Sequence, residues 1–338
     1  MNVAASRGPS IRDVAGWAGV SHQTVSRVIN NHSGVHPDTR AKVLEVIAQV
    51  GYRPNIAARR LVTNNSATIG VISVGLMYYG ASATVVGVSD AALEVGLFTS
   101  VVNVSTPDHQ SLRRAVEHLL DQGVEGILII APQAAALEAL MGVTFAVPFL
   151  LLESSARGNE HSLALDSELG AKMATEHLLE LGHRKILHLS GPPDWFGANV
   201  RISGWRKAME EADLETMPVM EGDWTPSSGY VVGQKIAETR RATAVFAGND
   251  QMALGLIRGI VEAGLRVPED ISVVGYDDLP DSAYFSPPLT TVRLDYIEVG
   301  RQAVKVLSKK IKDPGSPVVA DGIELQLIVR KSTGPVVS

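Results

Sequence analysis

The first fifty residues carry apolar positions at helical spacing, interrupted by short polar breaks. A first helix is predicted after Ser10, because its hydroxyl and Asp13 three residues on have the spacing of a capping box. The inward positions of this helix are Val14, Ala15 and Ala18. Gly19 ends it, and Ser21 provides the N-cap of a second helix that begins at about His22.

The second helix divides into an apolar stripe and a polar outer face. The stripe consists of Val25, Val28 and Ile29, whereas the outer face presents His22, Gln23, Ser26 and Arg27. Two short helices joined by a tight turn, with hydrogen-bonding side chains outside, are typical of a helix-turn-helix that reads the DNA major groove. On these residues alone, an ordinary αα-hairpin with a polar face is the alternative.

A third helix closes this small head, and a brief fourth helix follows. Pro37 stands at a first helical position, and apolar side chains recur at helical spacing until Gly51. Asn55 can cap a helix over residues 56–62, which is so short that we expect it to order only on DNA, beside its copy in a dimer. The polar residues 64–66 mark the boundary of the next domain.

From residue 67 onward, nearly continuous apolar strands alternate with helices, which indicates parallel sheets covered on both faces. The predicted strands are 68–74, 98–104, 126–131, 149–153, 162–166, 185–190, 244–248, 271–276 and 323–330. The predicted domains are a head (1–54), a hinge (55–66) and a core (67–338) whose first lobe holds about 67–162 and 294–320 and whose second lobe holds about 163–293 and 321–334. Such doubly wound lobes bind ligands beyond the carboxyl ends of their strands, here between the lobes.

Composition narrows the possible functions. The chain has 338 residues, 45% of them hydrophobic, and no cysteine, which excludes disulfides, thiolate ligands and a cysteine nucleophile. Neither a signal peptide nor a membrane-spanning run is present, so we expect a soluble cytoplasmic protein with no membrane partner. The chain has no metal-spaced cluster, nucleophile elbow or phosphate-cradling glycine loop, which argues against an enzyme and against a metal or cofactor.

The charge is divided unevenly along the chain. The net charge is −6, yet residues 1–60 hold eight basic and three acidic side chains, a balance of +5. A basic head on an acidic body places the affinity for phosphate in the head and discourages DNA from the body. The predicted architecture is therefore a small all-α DNA-binding head followed by an α/β body.

Several segments together resemble the lac repressor and galactose repressor family of bacterial transcription regulators over nearly the full length of the chain. The matching segments are DVAGWAGVSHQTVSRVIN, GYRPNIAARRL, LGHRKILHLSGP, EGDW, NDQMALG, ISVVGYDD and PPLTTV. Several are most similar to the lactose branch of the family. The resemblance implies a body of two doubly wound lobes like those of periplasmic binding proteins.

The resemblance also implies which side chains contact DNA. Base-reading positions are His22, Gln23 and Arg27, phosphate positions are Ser10, Ser21, Thr24 and Asn30, and hinge positions are Asn55, Arg59 and the minor-groove wedge Leu61. For each phosphate candidate, capping or turn chemistry is the alternative, and Leu61 could instead be buried between two hinge helices. The lactose branch has tyrosine at the position of His22, so we expect a different base at that point of the operator.

In the body, the resemblance implies a sugar site. Arg201, Asn249 and Asp277 are at positions that bind sugar hydroxyls, Trp224 at one that covers an apolar sugar face, and Tyr78, Glu153 and Tyr296 complete the set. Taken singly, Asp277 could cap a loop and Trp224 could be core. The chain departs from the lactose branch at Glu153, at Val74 and Leu294, which lack a hydrogen-bonding group, and at Tyr78 and Tyr79, which add aromatic rings. We expect a glycoside with a different aglycone or linkage.

The resemblance as a whole predicts a homodimeric repressor of sugar-utilisation genes, released from operator DNA by a β-galactoside or related glycoside. The dimer is expected because no apolar heptad tail follows the strand over residues 323–330. Two alternatives remain: a sugar or purine effector that tightens DNA binding, and a sugar receptor that does not bind DNA. As a repressor, the protein would be nucleoid-associated.

Overall fold

The computed structural model describes residues 9–29, 32–52, 66–153, 162–164, 166–318 and 323–336. The chain divides into two compact units, Met1–Ser66 and Ala67–Ser338. The predicted hinge helix over 56–62 lies outside the described residues. So do Asn30, Asn55, Arg59 and Leu61, and likewise the side chain of Glu153.

The head consists of three helices around a small apolar core. They are α1 (Ile11–Ala18), α2 (His22–Ile29) and α3 (Pro37–Val50). The predicted capping box is confirmed, since the Asp13 backbone N–H donates to the Ser10 hydroxyl at 3.3 Å and the Ser10 backbone N–H donates to the Asp13 carboxylate at 2.8 Å. Gly19 ends α1 in the left-handed region at φ 65°. The buried core is Val14, Ala15, Ala18, Val25, Val28 and Val43.

The first lobe of the body has a five-stranded parallel sheet in the order β2-β1-β3-β4-β5. Its strands are β1 (Thr68–Val74), β2 (Phe98–Val104), β3 (Ile127–Ile130), β4 (Phe149–Glu153) and β5 (Ser162–Ala164). Its helices are α4 (Tyr79–Glu94), α5 (His109–Asp121) and α6 (Ala134–Leu140). Every residue of β1 and β3 is buried, as expected for central strands covered on both faces.

The second lobe has a six-stranded sheet in the order β11-β10-β9-β8-β6-β7, parallel except for the β10–β11 pair. Its strands are β6 (Ile186–Ser190), β7 (Met220–Glu221), β8 (Ala244–Ala247), β9 (Ser272–Asp277), β10 (Thr290–Leu294) and β11 (Leu325–Ile328). Its helices are α7 (Ser167–Glu180), α8 (Phe196–Glu211), α9 (Pro226–Thr239) and α10 (Asp250–Glu262), with a 3-10 turn at Pro280–Tyr284.

The last helix, α11 (Tyr296–Lys312), returns to the first lobe and packs closely on α4. A Cβ on Gly87 of α4 would lie 2.1 Å from the carbonyl oxygen of Ile297, and one on Gly300 would lie 2.4 Å from that of Thr84. Glycine at both positions therefore lets the two backbones touch. This contact fixes Tyr296, the first residue of α11, beside the start of α4.

The structure differs from the sequence prediction at the boundary between the lobes and in two strands. Ser162–Ala164 pairs with β4 and so belongs to the first sheet, whereas the boundary was predicted after residue 162. The strands β7 and β10 were not predicted, because β7 has only two residues and β10 mixes threonine and arginine with apolar letters. The predicted class of fold, two doubly wound α/β lobes, is confirmed. Within the described residues, no helix is long and apolar enough to cross a membrane.

Candidate functional site

The polar face of α2 is available to a ligand. His22, Gln23 and Arg27 are exposed, whereas Val25 and Val28 of the same helix are buried in the head core. The three exposed side chains carry donors or acceptors of the kind that read base edges. Their roles at individual bases remain predictions.

Three of the predicted phosphate-contacting side chains take part in helix caps. The Ser10 hydroxyl belongs to the capping box of α1. The Ser21 hydroxyl accepts from the Thr24 backbone N–H at 3.1 Å and lies 2.9 Å from the Thr24 hydroxyl, which is the N-cap geometry of α2. Capping accounts for these three residues locally, and phosphate contact remains a prediction for each.

A cleft lies where the carboxyl ends of the strands in the two lobes face each other, as the predicted lobes required. It encloses about 800 Å³, part of which is open solvent. Its first-lobe and crossover side is lined by Tyr78, Tyr79, Gly80, Ala81, Thr84, Ile130, Pro132, Leu152, Tyr296 and Val299. Its second-lobe side is lined by Trp195, Gly197, Arg201, Trp224, Asn249, Gln251 and Asp277. Six of the seven predicted effector residues therefore line one cleft, the exception being Glu153, whose side chain is outside the described residues.

A buried polar group occupies one part of this cleft. Arg201 on α8 donates from Nη1 to the Gly248 carbonyl at 2.8 Å, and its Nη2 lies 3.7 Å from Oδ1 of Asp277. The Tyr296 hydroxyl donates to the same Oδ1 at 2.8 Å. The Arg201 guanidinium also lies over the Tyr276 ring, 3.9 Å from its centroid. These contacts fix a carboxylate and a guanidinium side by side before any ligand arrives.

Burial changes the protonation of this group. It raises the pKa of Asp277 to about 6, although the Arg201 charge and the Tyr296 hydroxyl act in the opposite direction. The Asp277 carboxylate is therefore mostly ionised at neutral pH and can accept hydrogen bonds from ligand hydroxyls. Its backbone has φ 107°, a left-handed value that a non-glycine residue adopts only when its surroundings enforce it.

A second buried carboxylate, Asp250, holds the segment that follows Asp277. It accepts from the Leu279 backbone N–H at 2.9 Å and from the hydroxyls of Ser282 and Thr291, each at 2.6 Å. Burial, together with the negative charge of Asp277, raises the pKa of Asp250 to about 7. Asp250 is absent from the cleft lining, so its role is to position the loop that carries Asp277. The sequence analysis missed this residue.

Trp224 and Asn249 form a connected pair. Trp224 is buried with φ 70°, and a Cβ on Gly191 would lie 2.1 Å from its ring, so a glycine is required there. Asn249 caps α10 by accepting from the Met252 backbone N–H at 2.8 Å, and its amide donates to the Trp224 carbonyl at 3.1 Å. The indole N–H of Trp224 is buried without an acceptor in the described part of the chain. An acceptor on a bound ligand would satisfy this donor.

Aromatic rings line the rest of the cleft. Tyr78 meets Trp195 edge to face with ring centroids 4.9 Å apart, and Tyr79 meets Tyr296 in the same way at 6.0 Å. Trp195 also lies 5.7 Å from the Trp224 ring. The sequence analysis missed Trp195, although the loop after a predicted strand was a signal that could have found it. It also missed Gln251 in the first turn of α10.

Two of the departures noted in the sequence do not alter the cleft directly. Val74 and Leu294 are buried in the apolar cores of the lobes and are not among the lining side chains. The expectation that they change the ligand contacts was wrong, because their positions on the strands direct them into the cores. The changes on the first-lobe side that line the cleft are Tyr78 and Tyr79.

The described part of the chain holds no group of three His, Cys, Asp or Glu side chains that could bind a metal ion. The three histidines of the second lobe have structural partners. His183 contacts Thr243, Ser272 and Gly334, and His177 contacts Thr333. His188 is fully buried, lies 2.9 Å from the Phe246 carbonyl and has a pKa lowered to about 3 by burial.

The head and the body each match a model of a known protein family. Residues 10–55 match the family model "Bacterial regulatory proteins, lacI family", and residues 175–333 match "Periplasmic binding protein-like domain". The lactose operon repressor of Escherichia coli strain K12 is 39% identical over 300 residues, which cover 87% of this chain and 82% of that protein. The HTH-type transcriptional repressor PurR of Haemophilus influenzae is 35% identical over 331 residues, covering 96% and 98%.

A solved structure is similar over the same extent. The lac repressor dimer bound to operator and the anti-inducer ONPF superposes with a TM-score of 0.86 at 35% identity, covering 97% of this chain and 100% of that one. The sequence identity between this chain and these relatives covers the head and both lobes. The chain belongs to the LacI family of bacterial regulatory proteins, and it is a DNA-binding transcriptional repressor.

Proposed function

We propose that this repressor acts as a homodimer whose affinity for operator DNA is lowered by a small glycoside, a β-galactoside or a related compound. The observation that carries the proposal is the buried Arg201–Asp277 pair within an aromatic cleft, on a chain whose α2 presents a polar face. Vicinal sugar hydroxyls can donate to Asp277 and accept from Arg201, while the Trp224 ring covers C–H groups.

The DNA contacts are assigned to α2 and to the basic charge of the head. Arg27 can make a bidentate contact to guanine, and Gln23 can pair with adenine, each contributing about 1–3 kcal/mol of discrimination. Ser10, Ser21, Thr24 and Asn30 would contact phosphates. The balance of +5 over residues 1–60 supports this assignment, because phosphate binding supplies much of the affinity.

A second copy of the chain is the proposed partner of an exposed apolar surface on the first lobe. This surface lies on α4, on the turn after it and on β2, which is the edge strand of its sheet. Its members are Val86, Leu93, Val95, Phe98 and Val101, each at least 41% exposed. Apolar surface of this kind is normally covered by a partner. The relative of known structure is described as a dimer, which supports the same assembly here.

The proposed coupling passes through residues 55–66, the connection between head and body. Asn55, Arg59 and Leu61 would bind DNA there, with Leu61 as a wedge in the minor groove. A glycoside that changes the closure of the lobes would alter the free energy of ordering this segment on DNA. Such coupling is usually about 1–3 kcal/mol and is reciprocal, so operator DNA should weaken glycoside binding to the same extent.

A purine effector that tightens DNA binding is the second candidate. It is supported by the PurR relatives, which align over 96% of this chain, and by aromatic rings that could stack on a flat base. The glycoside is preferred because the polar end of the cleft is an ion pair suited to adjacent hydroxyls. The two candidates predict opposite effects on operator affinity.

Fluorescence anisotropy of a labelled duplex from the region upstream of the gene would test the proposal. The full-length protein would be titrated with galactosides, glucosides and a purine, with Arg27→Ala as the matched loss of one base contact. We expect a glycoside to weaken DNA binding. In a plot of log affinity against log salt concentration, we expect the slope to be about −0.9 for each phosphate that the protein neutralises. Tightening by a purine would favour the second candidate, and a flat salt response would contradict operator binding.

A further inference from the structure

The turn that follows β9 holds two consecutive aspartates in an unusual backbone conformation. Asp277 has φ 107° and Asp278 has φ 50°, and both values lie in the left-handed region. Residues other than glycine adopt this conformation only where the surrounding contacts enforce it. Asp277 lines the cleft and Asp278 does not, so the contacts of Asp278 show what holds the backbone of its neighbour in place.

The Asp278 carboxylate is buried between two arginines. Its Oδ2 accepts from Nε of Arg293 at 2.7 Å and lies 2.6 Å from Nη2 of the same side chain, and its Oδ1 accepts from Nη2 of Arg330 at 2.7 Å. Of the Asp278 side chain 5% is exposed, compared with 17% for Arg330. Hydrogen bonds between charged groups are short and strong, and here both carboxylate oxygens have partners. Asp278 therefore cannot turn without breaking an ion pair.

Arg330 is itself fixed by the strands of the second lobe. It follows β11, and its backbone N–H donates to the Thr290 hydroxyl at 2.9 Å while its Nη1 donates to the Leu289 carbonyl at 2.7 Å. Two residues further on, the Ser332 hydroxyl donates to the Val273 carbonyl at 2.6 Å. These bonds join the segment after β11 to β9 and β10. Arg330 is therefore a rigid anchor for the turn after β9.

Arg293 places the same turn beside a connection between the lobes. It lies on β10, in register with Asp277 on β9. Shortly after Arg293 the chain crosses to the first lobe and begins α11 at Tyr296, whose hydroxyl donates to Asp277 at 2.8 Å. The two adjacent carboxylates thus contact residues on both sides of this crossover. A displacement of Asp278 would move Asp277 relative to both Tyr296 and Arg201.

We propose that Asp278 and Arg330 are positioning residues for effector recognition, because their ion pair holds Asp277 in the orientation that binds the ligand. This inference rests on the proposed function and adds two residues that do not touch the ligand. The ion pair acts through the Asp277 carboxylate, so its loss should matter only as far as that carboxylate contributes to binding. The pair lies in the second lobe, whereas the DNA contacts are assigned to the head, so operator affinity without ligand should not change.

Titration of the full chain with methyl β-galactoside and methyl β-glucoside would test this role, by calorimetry or, for weak complexes, by ligand-observed NMR. Arg330→Met keeps the apolar stem but lacks the guanidinium, and we expect it to weaken glycoside binding about tenfold, which is part of the value of a charged hydrogen bond. Arg330→Lys keeps the charge and should recover most of the affinity. Lys331→Met removes a charge from the exposed neighbouring residue and should leave the affinity unchanged.

A double-mutant cycle with Asp277→Asn separates positioning from a general loss of structure. If the ion pair acts through the Asp277 carboxylate, Arg330→Met should weaken binding about tenfold in the wild type and less than about twofold in the Asp277→Asn background. Asp278→Asn weakens the same pair from its other end and should show the same dependence on Asp277. Equal losses in both backgrounds would overturn the proposal, because the ion pair would then only stabilise the second lobe.

Folding is checked independently of the ligand. Asp250 holds the other end of the turn through the Leu279 backbone N–H at 2.9 Å, so Arg330→Met should displace the turn without unfolding the lobe. Urea unfolding and operator affinity of the ligand-free variant should confirm this. Unchanged glycoside affinity in Arg330→Met would overturn the positioning role and leave a glycoside-responsive repressor. Binding of a purine and of no glycoside would overturn the proposed function, and additive losses in the same cycle measured with the purine would overturn the positioning role as well.

Discussion

Replacement of Asp277 by asparagine removes the negative charge beside Arg201 while keeping the shape of the side chain. The amide oxygen can still accept from the Tyr296 hydroxyl, so the local fold should persist. A hydrogen bond to a charged group contributes about 1.5–3 kcal/mol, and each 1.4 kcal/mol is tenfold in affinity, so glycoside binding should weaken about 10- to 150-fold. Calorimetric titration of the full chain at pH 7.5, far above the pKa of about 6, measures this loss.

The same variant isolates the pH dependence of ligand binding. With a pKa of about 6, the Asp277 carboxylate of the free protein becomes protonated as the pH falls from 7 to 5, so the wild type should lose affinity by about tenfold over this range. Asp277→Asn should be much flatter, and the difference in affinity between the two proteins should shrink by about tenfold between pH 7 and pH 5. The charge of Asp277 helps to raise the pKa of Asp250, so the titration of Asp250 shifts in Asp277→Asn, and the pH profile of Asp250→Asn is the control for this contribution.

Two results would refute this reasoning. Parallel pH profiles for the wild type and Asp277→Asn would mean that another group governs binding. An unchanged affinity in Asp277→Asn at pH 7.5 would mean that the carboxylate does not contact the ligand. The histidines of the second lobe are poor alternatives, because burial lowers the pKa of His177, His183 and His188 and none of them lines the cleft.

Three further predictions concern stability and DNA binding. Gly255→Ala should destabilise the body by about 3 kcal/mol in urea unfolding, because the new Cβ would lie 1.7 Å from the Pro226 carbonyl oxygen; a loss under 0.5 kcal/mol would contradict this packing. Ser10→Ala should lower the stability of the head by about 1 kcal/mol in urea unfolding, and operator affinity measured where the head stays folded should be unchanged if Ser10 only caps α1 but fall if it also contacts phosphate. Burial raises the pKa of Asp250 from 3.8 to about 7, so the folded protein binds this proton more tightly than the unfolded chain and loses stability as the pH rises between these values. Asp250→Asn should therefore flatten the pH dependence of the melting temperature. An unaltered slope would show that another group titrates.

The head could be predicted from the sequence because its determinants are local. The Ser10–Asp13 capping box and the glycine that ends α1 lie within ten residues of one another, and the apolar stripe of α2 identifies its buried side. The strands of the body were found for a similar reason, since a central parallel strand is a short, nearly continuous apolar run. Short or edge strands such as β7 carry no such signal.

Features of the cleft that depend on distant contacts could not be predicted. Asp250 accepts hydrogen bonds from the hydroxyls of two residues that lie 32 and 41 positions away in the sequence. The residues next to it in the sequence do not indicate that it is buried. Trp195 stands in a loop without periodic neighbours, and its role depends on Tyr78 in the other lobe. Asn249 was expected at the sugar, yet its side chain already caps α10 and holds Trp224. The family position therefore located Asn249 without determining how its side chain is used.

Three links between the lobes converge around the proposed ligand position. They are the Tyr296–Asp277 hydrogen bond, the Tyr78–Trp195 ring contact and the backbone bridge from Gln133 to Trp195. A ligand can shift the closure of the lobes only by binding one arrangement more tightly than another. A glycoside whose hydroxyls compete for Asp277, or whose aglycone separates Tyr78 from Trp195, would favour a different closure from a flat base that stacks within the existing rings. The sign of regulation would then follow from whether the ligand replaces these links or reinforces them.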